Sequence, residues 1–154
     1  MNKPLQDLSN TREEKQREIM EHLAVTGGCF LCMDVISEIV KKYPDVSTGP
    51  IHEGKYLFVK KNDFPYKGTR LHLLVVPKRH VMTLEDLFPE EFLEVQEMLA
   101  WINKTFDVQG ASVFLRYGDM SYTGATLSHL HFHVLHGVAK HSTSESIRPK
   151  LGYA

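Results

Sequence analysis

The sequence predicts an α+β domain built on an antiparallel β-sheet. Two observations predict it: helical periodicity dominates the first 42 residues, and strand-like segments then surround one long amphipathic helix. The chain has 154 residues, of which 42% are hydrophobic. A chain of this length can bury the core of one domain without a disulfide framework.

Two helices are expected before the sheet. Residues 9–25 carry an apolar stripe, Ser9 or Asn10 can cap the first turn, and a Gly-Gly pair stops the helix. A shorter helix over 32–42 ends before a proline, because the residue preceding proline disfavours the helical conformation.

The sheet is expected from residue 55 onward. Residues 71–77 (LHLLVVP) form a nearly continuous apolar run, which is typical of a strand covered on both faces. Pro89 begins a helix over 89–106. The apolar stripe of that helix consists of Phe92, Val95, Leu99 and Ile102. The other strand-like segments are 55–61, 111–118 and 129–136, and a glycine-rich loop covers 118–128.

Charge and hydropathy argue against several classes of protein. The chain has 18 Lys plus Arg and 19 Asp plus Glu, a formal net charge of −1, which disfavours a broadly basic nucleic-acid or membrane-surface binder. No apolar run is long enough to span a bilayer, and the polar first residues have no secretory signal. We therefore expect a cytoplasmic protein that binds neither nucleic acid nor membrane.

Histidine is the unusual entry in the composition, with nine histidines against two cysteines. In the segment HLHFHVL, His129, His131 and His133 recur at every second position. A strand would place their imidazoles on one face, roughly 6–7 Å apart, and the intervening apolar side chains on the other.

Such a row of imidazoles suits nucleotidyl transfer. A neutral imidazole is a good nucleophile near pH 7 and meets less repulsion from an anionic phosphorus than a carboxylate would. Its neighbours can donate hydrogen bonds to phosphate oxygens or protonate a leaving group. Two alternatives stay open: structural histidines with ordinary partners, and a metal site, since His-x-His is also a zinc-ligand spacing.

Cys29 and Cys32 form a C-x-x-C pair that uses both cysteines of the chain. The pair can supply two thiolates to a tetrahedral zinc, and we expect His80 and His129 as the remaining ligands. Four protein ligands would make this a structural zinc, clipping the N-terminal segment to the sheet. A thioredoxin-type redox pair and two unrelated buried cysteines are the alternatives.

The segment 129–135 resembles the signature of the histidine-triad (HIT) superfamily, in which histidines alternate with apolar residues. The stretch from Asn62 to Tyr66, followed by LHLLVVPKRHVMTLEDL at 71–87, resembles a second block of that family, and the C-x-x-C pair resembles its zinc-containing members. The resemblance covers about residues 29–137. It divides the chain into an N-terminal helical extension (1–28), a HIT-like domain (29–137) and a C-terminal tail (138–154).

The resemblance implies an antiparallel sheet of about five strands with one long helix, a homodimer, and a covalent nucleotidyl-histidine intermediate. By position, His131 would be the nucleophile, and His133 would contact phosphate or the leaving group. His129 would hold the strand geometry or bind zinc. His72 matches a fourth histidine that orients the nucleophile.

Substrate contacts follow from the same resemblance. Asn62 falls near the ribose-contacting position, Thr126 and Ser128 lie where family members contact phosphate, and Gly124 would let the loop backbone approach the ligand. One departure is Arg116, in a stretch where many family members carry Asn or Gln. Arg116 could bind phosphate instead, or strand alternation could turn it to solvent.

The expected function is a nucleotide hydrolase or transferase that acts on a purine nucleoside 5′-phosphoryl derivative. Two substrate classes stay open. The 62–77 block favours dinucleoside polyphosphates, and the C-x-x-C pair favours nucleoside phosphoramidates. The alternative is a catalytically weak nucleotide-binding sensor or interaction module, and a redox or zinc-transfer protein is a third interpretation.

Overall fold

The computed structural model describes residues 4–142 and 145–154 and confirms the α+β prediction. Within these residues, five antiparallel strands form one sheet in the order β1-β2-β3-β5-β4. The strands are β1 (Pro50–Glu53), β2 (Leu57–Lys61), β3 (Leu71–Pro77), β4 (Ser112–Leu115) and β5 (Phe132–His136). The helices are α1 (Glu14–Thr26), α2 (Met33–Lys42), α3 (Pro89–Phe106) and the short α4 (Met120–Thr123).

Helices cover both faces of the sheet. On one face, α1 and α2 pack against Phe58, Leu74 and Val76, and on the other α3 packs against Leu73 and Val75. Because adjacent residues of β3 point to opposite faces, this strand is buried on both sides, as its apolar run predicted. No helix of the described residues is both long enough and apolar enough to cross a membrane.

The expected start of α1 is wrong. Leu8–Asn10 forms a separate 3-10 turn capped by Asp7, and α1 begins only at Glu14. Asn10 does not cap α1, whose N-cap position is Glu13, and its amide nitrogen instead donates to the carbonyl of Ala125, 3.0 Å away. The predicted end of α1 is confirmed: Gly27 takes a left-handed conformation, with φ of 76°, that suits glycine.

Helix α3 has the predicted bounds, but its buried face is rotated from the predicted stripe. Val95 and Ile102 are buried as expected, whereas Phe92 is 55% exposed. Glu94 is buried in its place, because its carboxylate accepts backbone N–H bonds from residues 55–57 at 2.6–2.7 Å. This helix is thereby joined to the turn between β1 and β2.

The N-terminal segment crosses the loop that precedes the histidine-rich strand. Gln6 forms an isolated β-bridge with Leu127, and the backbone N–H of Ser128 donates to the carbonyl of Leu5 at 3.0 Å. Asn10, 2% exposed, also contacts the C-terminal tail through Lys150 Nζ at 3.3 Å and the Tyr153 hydroxyl. Both terminal segments therefore pack against the loop at 118–128.

Candidate active site and metal centre

The backbone determines which ring nitrogen of neutral His131 carries the proton. Its Nδ1 lies 2.7 Å from the carbonyl oxygen of His129. A carbonyl only accepts, so Nδ1 donates, and Nε2 of the neutral ring carries the free lone pair. Burial lowers the pKa of His131 to about 4, which keeps the ring neutral near pH 7. The lone pair of a neutral imidazole is thus available at a cavity that His131 lines.

His133 is the second histidine of this cavity and is bonded to His72. The two rings meet at 2.8 Å between Nδ1 of His133 and Nε2 of His72. The backbone N–H of Tyr66 donates to Nδ1 of His72 at 3.1 Å, so the neutral ring of His72 carries its proton on Nε2 and donates it to His133. His133 then carries its own proton on Nε2, on the side of the cavity.

Burial keeps this pair of rings neutral. It lowers the pKa of His72 to about 3 and that of His133 well below the usual value. His72 therefore orients His133 by a direct hydrogen bond. The orienting partner of His131 is the carbonyl of His129, and not His72 as the sequence had suggested.

Three of the four expected substrate-binding residues line the cavity. Asn62, Gly124 and Thr126 are there, whereas Ser128 is buried and donates its hydroxyl to the carbonyl of Leu5 at 3.2 Å. The Thr126 hydroxyl likewise donates to the backbone, to the carbonyl of Asn10 at 3.1 Å.

Gly124 meets a steric requirement at the cavity wall. It ends α4 with a φ of 70°, and a Cβ there would collide with the side chain of Lys150. Asn62 accepts the backbone N–H of Phe64 at 2.9 Å, and its amide nitrogen lies 3.0 Å from Nε2 of His72. The amide of Asn62 is therefore anchored beside the histidine pair.

The cavity also contains one residue whose role the sequence left open and several that it did not indicate. Arg116 is half-buried and turned into the cavity, which decides between the two orientations left open for it. The N-terminal segment and the tail contribute other residues, namely Arg12, Gln16, Met20 and Lys150. Only long-range packing brings those four to the site, so no local sequence signal identifies them.

The predicted metal ligands form a second cluster. One ligand atom from each of Cys29, Cys32, His80 and His129 lies within 4.8 Å of all the others. The Sγ atoms of Cys29 and Cys32 are 3.3 and 3.7 Å from Nδ1 of His129, and Cys32 Sγ is 3.5 Å from Nδ1 of His80. Ligands of a tetrahedral zinc stand about 3.6 Å apart, given bonds of about 2.3 Å to sulfur and 2.0 Å to nitrogen.

The chemistry of the donors also fits a metal. Nε2 of His129 lies 2.9 Å from the carbonyl of Pro77 and donates to it, which leaves Nδ1 free of a proton and directed at the cysteines. Without a bound cation, burial raises the pKa of the Cys29 thiol to about 12, because the thiolate would be charged and desolvated. These four residues are therefore close enough, and suitably arranged, to bind a metal ion.

Comparison with known proteins identifies the superfamily. A family match covers residues 35–148, about three quarters of the chain, and this range contains all five strands and the histidine pair at the cavity. The chain belongs to the HIT superfamily, in the family described as "Scavenger mRNA decapping enzyme C-term binding".

Two curated relatives match a similar part of the chain. An "Uncharacterized HIT-like protein" of Chlamydia trachomatis is 29% identical over 96 residues, which are 60% of this chain and 83% of that protein. An "AP-4-A phosphorylase" of Mycobacterium tuberculosis is 36% identical over 92 residues, which are 55% of this chain but only 44% of that protein.

Solved structures share the fold at low sequence identity. A "Hypothetical protein from Leishmania major" superposes with a TM-score of 0.55 and 22% identity, over 78% of this chain and 80% of that one. A "HIT family hydrolase" from Clostridium thermocellum gives 0.53 and 20%, over 68% and 90%.

Proposed function

We propose that this protein is a nucleotide hydrolase or transferase that works through a nucleotidyl-histidine intermediate. The observation that carries the proposal is the proton arrangement of His131: Nδ1 is committed to the carbonyl of His129, and Nε2 is free at the cavity. A purine nucleoside 5′-phosphoryl derivative is the substrate class. The name of the mycobacterial relative, AP-4-A phosphorylase, supports a nucleotide substrate.

In the first step, Nε2 of His131 attacks the α-phosphorus in line with the leaving group. A P–N bond forms, the bond to the leaving group breaks, and its electron pair departs with the leaving group. His133 donates a hydrogen bond from Nε2 to the phosphate or to the leaving group, and His72 holds His133 in position. Water then attacks the phosphorus, a P–O bond forms and one proton of the water is lost to solvent; the P–N bond breaks, which returns its electron pair to His131 and releases the nucleoside monophosphate.

The remaining expected residues bind or hold the substrate. We assign Asn62 to the ribose, and Gly124 and Thr126 to the phosphate, because all three line the cavity. Ser128 is assigned to holding the loop, because its hydroxyl is bonded to Leu5 and lies outside the cavity.

A structural zinc fits the Cys/His cluster. Cys29, Cys32, His80 and His129 would hold it, and its role is to fix geometry, since four protein ligands leave no open position. The same His129 supplies the carbonyl that orients His131, so a fixed ring at position 129 also steadies the nucleophile. We also propose that the protein is a homodimer, which the molar mass from light scattering tests directly.

The test of the activity is to trap the intermediate. The protein is mixed with diadenosine tetraphosphate or adenosine 5′-phosphoramidate carrying a labelled α-phosphate and quenched in alkali, in which a phosphohistidine bond survives. We expect AMP release from at least one substrate and one label on His131, located by peptide mapping. Tight AMP binding with no turnover of either substrate would instead support a nucleotide sensor.

A further inference from the structure

Arg116 follows the last residue of β4 and reaches across to the histidine pair. Its Nη1 lies 3.2 Å from Nε2 of His133. Its Nη2 donates to the Tyr66 hydroxyl at 2.6 Å, and its Nε donates to the carbonyl of Lys150 at 2.8 Å. These two bonds fix the plane of the guanidinium and direct Nη1 at His133.

The contacts around His72 and His133 contain more N–H groups than acceptors, even without the amide of Asn62 beside His72. Tyr66, His72, His133 and Arg116 meet in three successive contacts, and each supplies one N–H when both imidazoles are neutral. Four protons cannot fill three contacts that each need one donor and one acceptor. At one contact two N–H groups must face each other, and an oxygen acceptor bound there would satisfy both.

The contact between His133 and Arg116 is the one that a ligand can reach. Both residues line the cavity, whereas His72 does not. An oxygen that enters there would accept from Nε2 of His133 and from Nη1 of Arg116 together. One of the two donors carries a permanent positive charge, which favours an anionic oxygen.

The charge of the surrounding wall points to the same kind of ligand. Arg12 and Lys150 line the cavity with Arg116, and the described residues contribute no carboxylate to that lining. The Arg12 guanidinium lies 4.2 Å from the centre of the Tyr66 ring, whose hydroxyl bonds Arg116. Cations brought together in this way repel one another, and a ligand with several negative charges relieves that repulsion.

We propose that Arg116 is a specificity-determining residue that binds the leaving phosphate of a nucleoside polyphosphate, sharing one oxygen of it with His133. This rests on the proposed function and adds the leaving group to it. When the P–O bond breaks, its electron pair stays on the leaving phosphate oxygen. A phosphate leaves as an anion and needs no proton, so the fixed charge of Arg116 suffices.

An amine leaving group makes a different demand. The nitrogen of a phosphoramidate must gain a proton as the P–N bond breaks, and an arginine does not give one up. Burial also holds the pKa of His133 low, so this histidine offers a hydrogen bond and no spare positive charge. The site therefore favours anhydride substrates over phosphoramidates.

The experiment compares Arg116→Gln and Arg116→Lys with the wild type on substrates that share one adenylyl group. The values of kcat/KM are measured for diadenosine tetraphosphate and for adenosine 5′-phosphoramidate, and the dissociation constants for ATP and AMP. Arg17→Gln removes the same charge from an exposed position on α1 and is the control. Thermal melting verifies that each variant is folded.

We expect Arg116→Gln to lower kcat/KM for the tetraphosphate roughly 10- to 100-fold, the effect of losing one charged hydrogen bond, and to leave the phosphoramidate within about 3-fold. ATP binding should weaken by a similar factor and AMP binding much less. Arg116→Lys keeps the positive charge and should therefore recover part of the lost kcat/KM for the tetraphosphate. The same comparison of substrates is made with Arg116→Lys if Arg116→Gln does not fold.

Equal losses on both substrates, or equal losses of ATP and AMP binding, would overturn the role of Arg116 even if the enzyme is active. Absence of turnover in the wild type would instead contradict the proposed function. The ratio of ATP to AMP affinity would in that case still decide whether Arg116 binds the phosphate chain.

Discussion

The Cys/His cluster and the cavity are built from neighbouring histidines of one segment, yet their ring nitrogens are used in opposite ways. At the cluster, Nε2 of His129 is bonded to Pro77 and Nδ1 is directed at two sulfur atoms. At the cavity, His131 and His133 each keep Nδ1 bonded to protein, whereas Nε2 faces the cavity in His131 and the guanidinium of Arg116 in His133. Four donor atoms directed at one another suit a structural metal, whereas an imidazole with one nitrogen free at a cavity suits nucleophilic attack.

The largest effect is expected from removing the free ring nitrogen of His131. His131→Ala should lower kcat by three orders of magnitude or more, because among the described residues of the cavity only His131 would have an unprotonated imidazole nitrogen free for attack. AMP affinity should change by less than about 3-fold. His136→Ala, on the same strand but outside the cavity lining, is the control and should retain activity. Activity near the wild-type level in His131→Ala would exclude the covalent intermediate.

The Cys/His cluster is tested by the double variant that combines Cys29→Ser with Cys32→Ser. Loss of both sulfur ligands should remove one zinc per chain and lower the Tm by about 10 °C or more, since metal binding to the folded state adds to stability. Metal analysis by mass spectrometry and thermal melting measure the two effects. An unchanged zinc content would show that the metal, if present, lies elsewhere.

Acid should destabilise the fold through the buried histidines. The pKa of His72 is about 3 and that of His133 is well below normal, whereas in the unfolded chain both are near 6.5. Below pH 6.5 the unfolded state binds more protons, so stability is full above that pH and falls as the pH drops towards 3. Each ring contributes up to about 1.4 kcal/mol per pH unit.

The measurement is urea unfolding at several pH values. His72→Asn removes one of the two groups and should give a shallower fall in the free energy of unfolding between pH 6.5 and 4. A slope identical to that of the wild type would show that His72 is not held neutral in the folded protein.

The smallest expected effect separates loop-holding from substrate-binding hydroxyls. Ser128→Ala and Thr126→Ala each remove one hydrogen bond to the N-terminal segment and should lower the free energy of unfolding by about 1 kcal/mol. Only Thr126→Ala should also raise KM, because only Thr126 lines the cavity. Equal KM values in the two variants would remove Thr126 from the substrate site.

The sequence predicts best those elements whose signal is local. Strand β3 and helix α3 have the predicted bounds, since a continuous apolar run and an N-terminal proline are independent of distant contacts. Strand β1 was missed, because Pro50–Glu53 is four residues long and only half-buried at an edge of the sheet. Strand β5 begins at Phe132, later than predicted, as the histidines before it turn to the cluster and the cavity.

The residues of the candidate site also divide into those with a local sequence signal and those without one. The histidines and cysteines could be selected because their spacing carries chemistry. Arg12 and Lys150 could not, because they come from segments with no pattern of their own and reach the cavity only through the packing of both chain ends. Asn62 was found in a recognisable block, although its bonding to Phe64 and its position beside His72 needed the structure.

Asn10 shows what it means for both terminal segments to form the walls of one cavity. Its amide nitrogen donates to Ala125, its carbonyl accepts from Thr126, and its side-chain oxygen faces Lys150 and Tyr153. Asn10 therefore ties the N-terminal segment, the loop at 118–128 and the tail together. A substitution in either terminal segment that breaks these bonds is therefore expected to change the shape of the cavity as well as the stability of the fold.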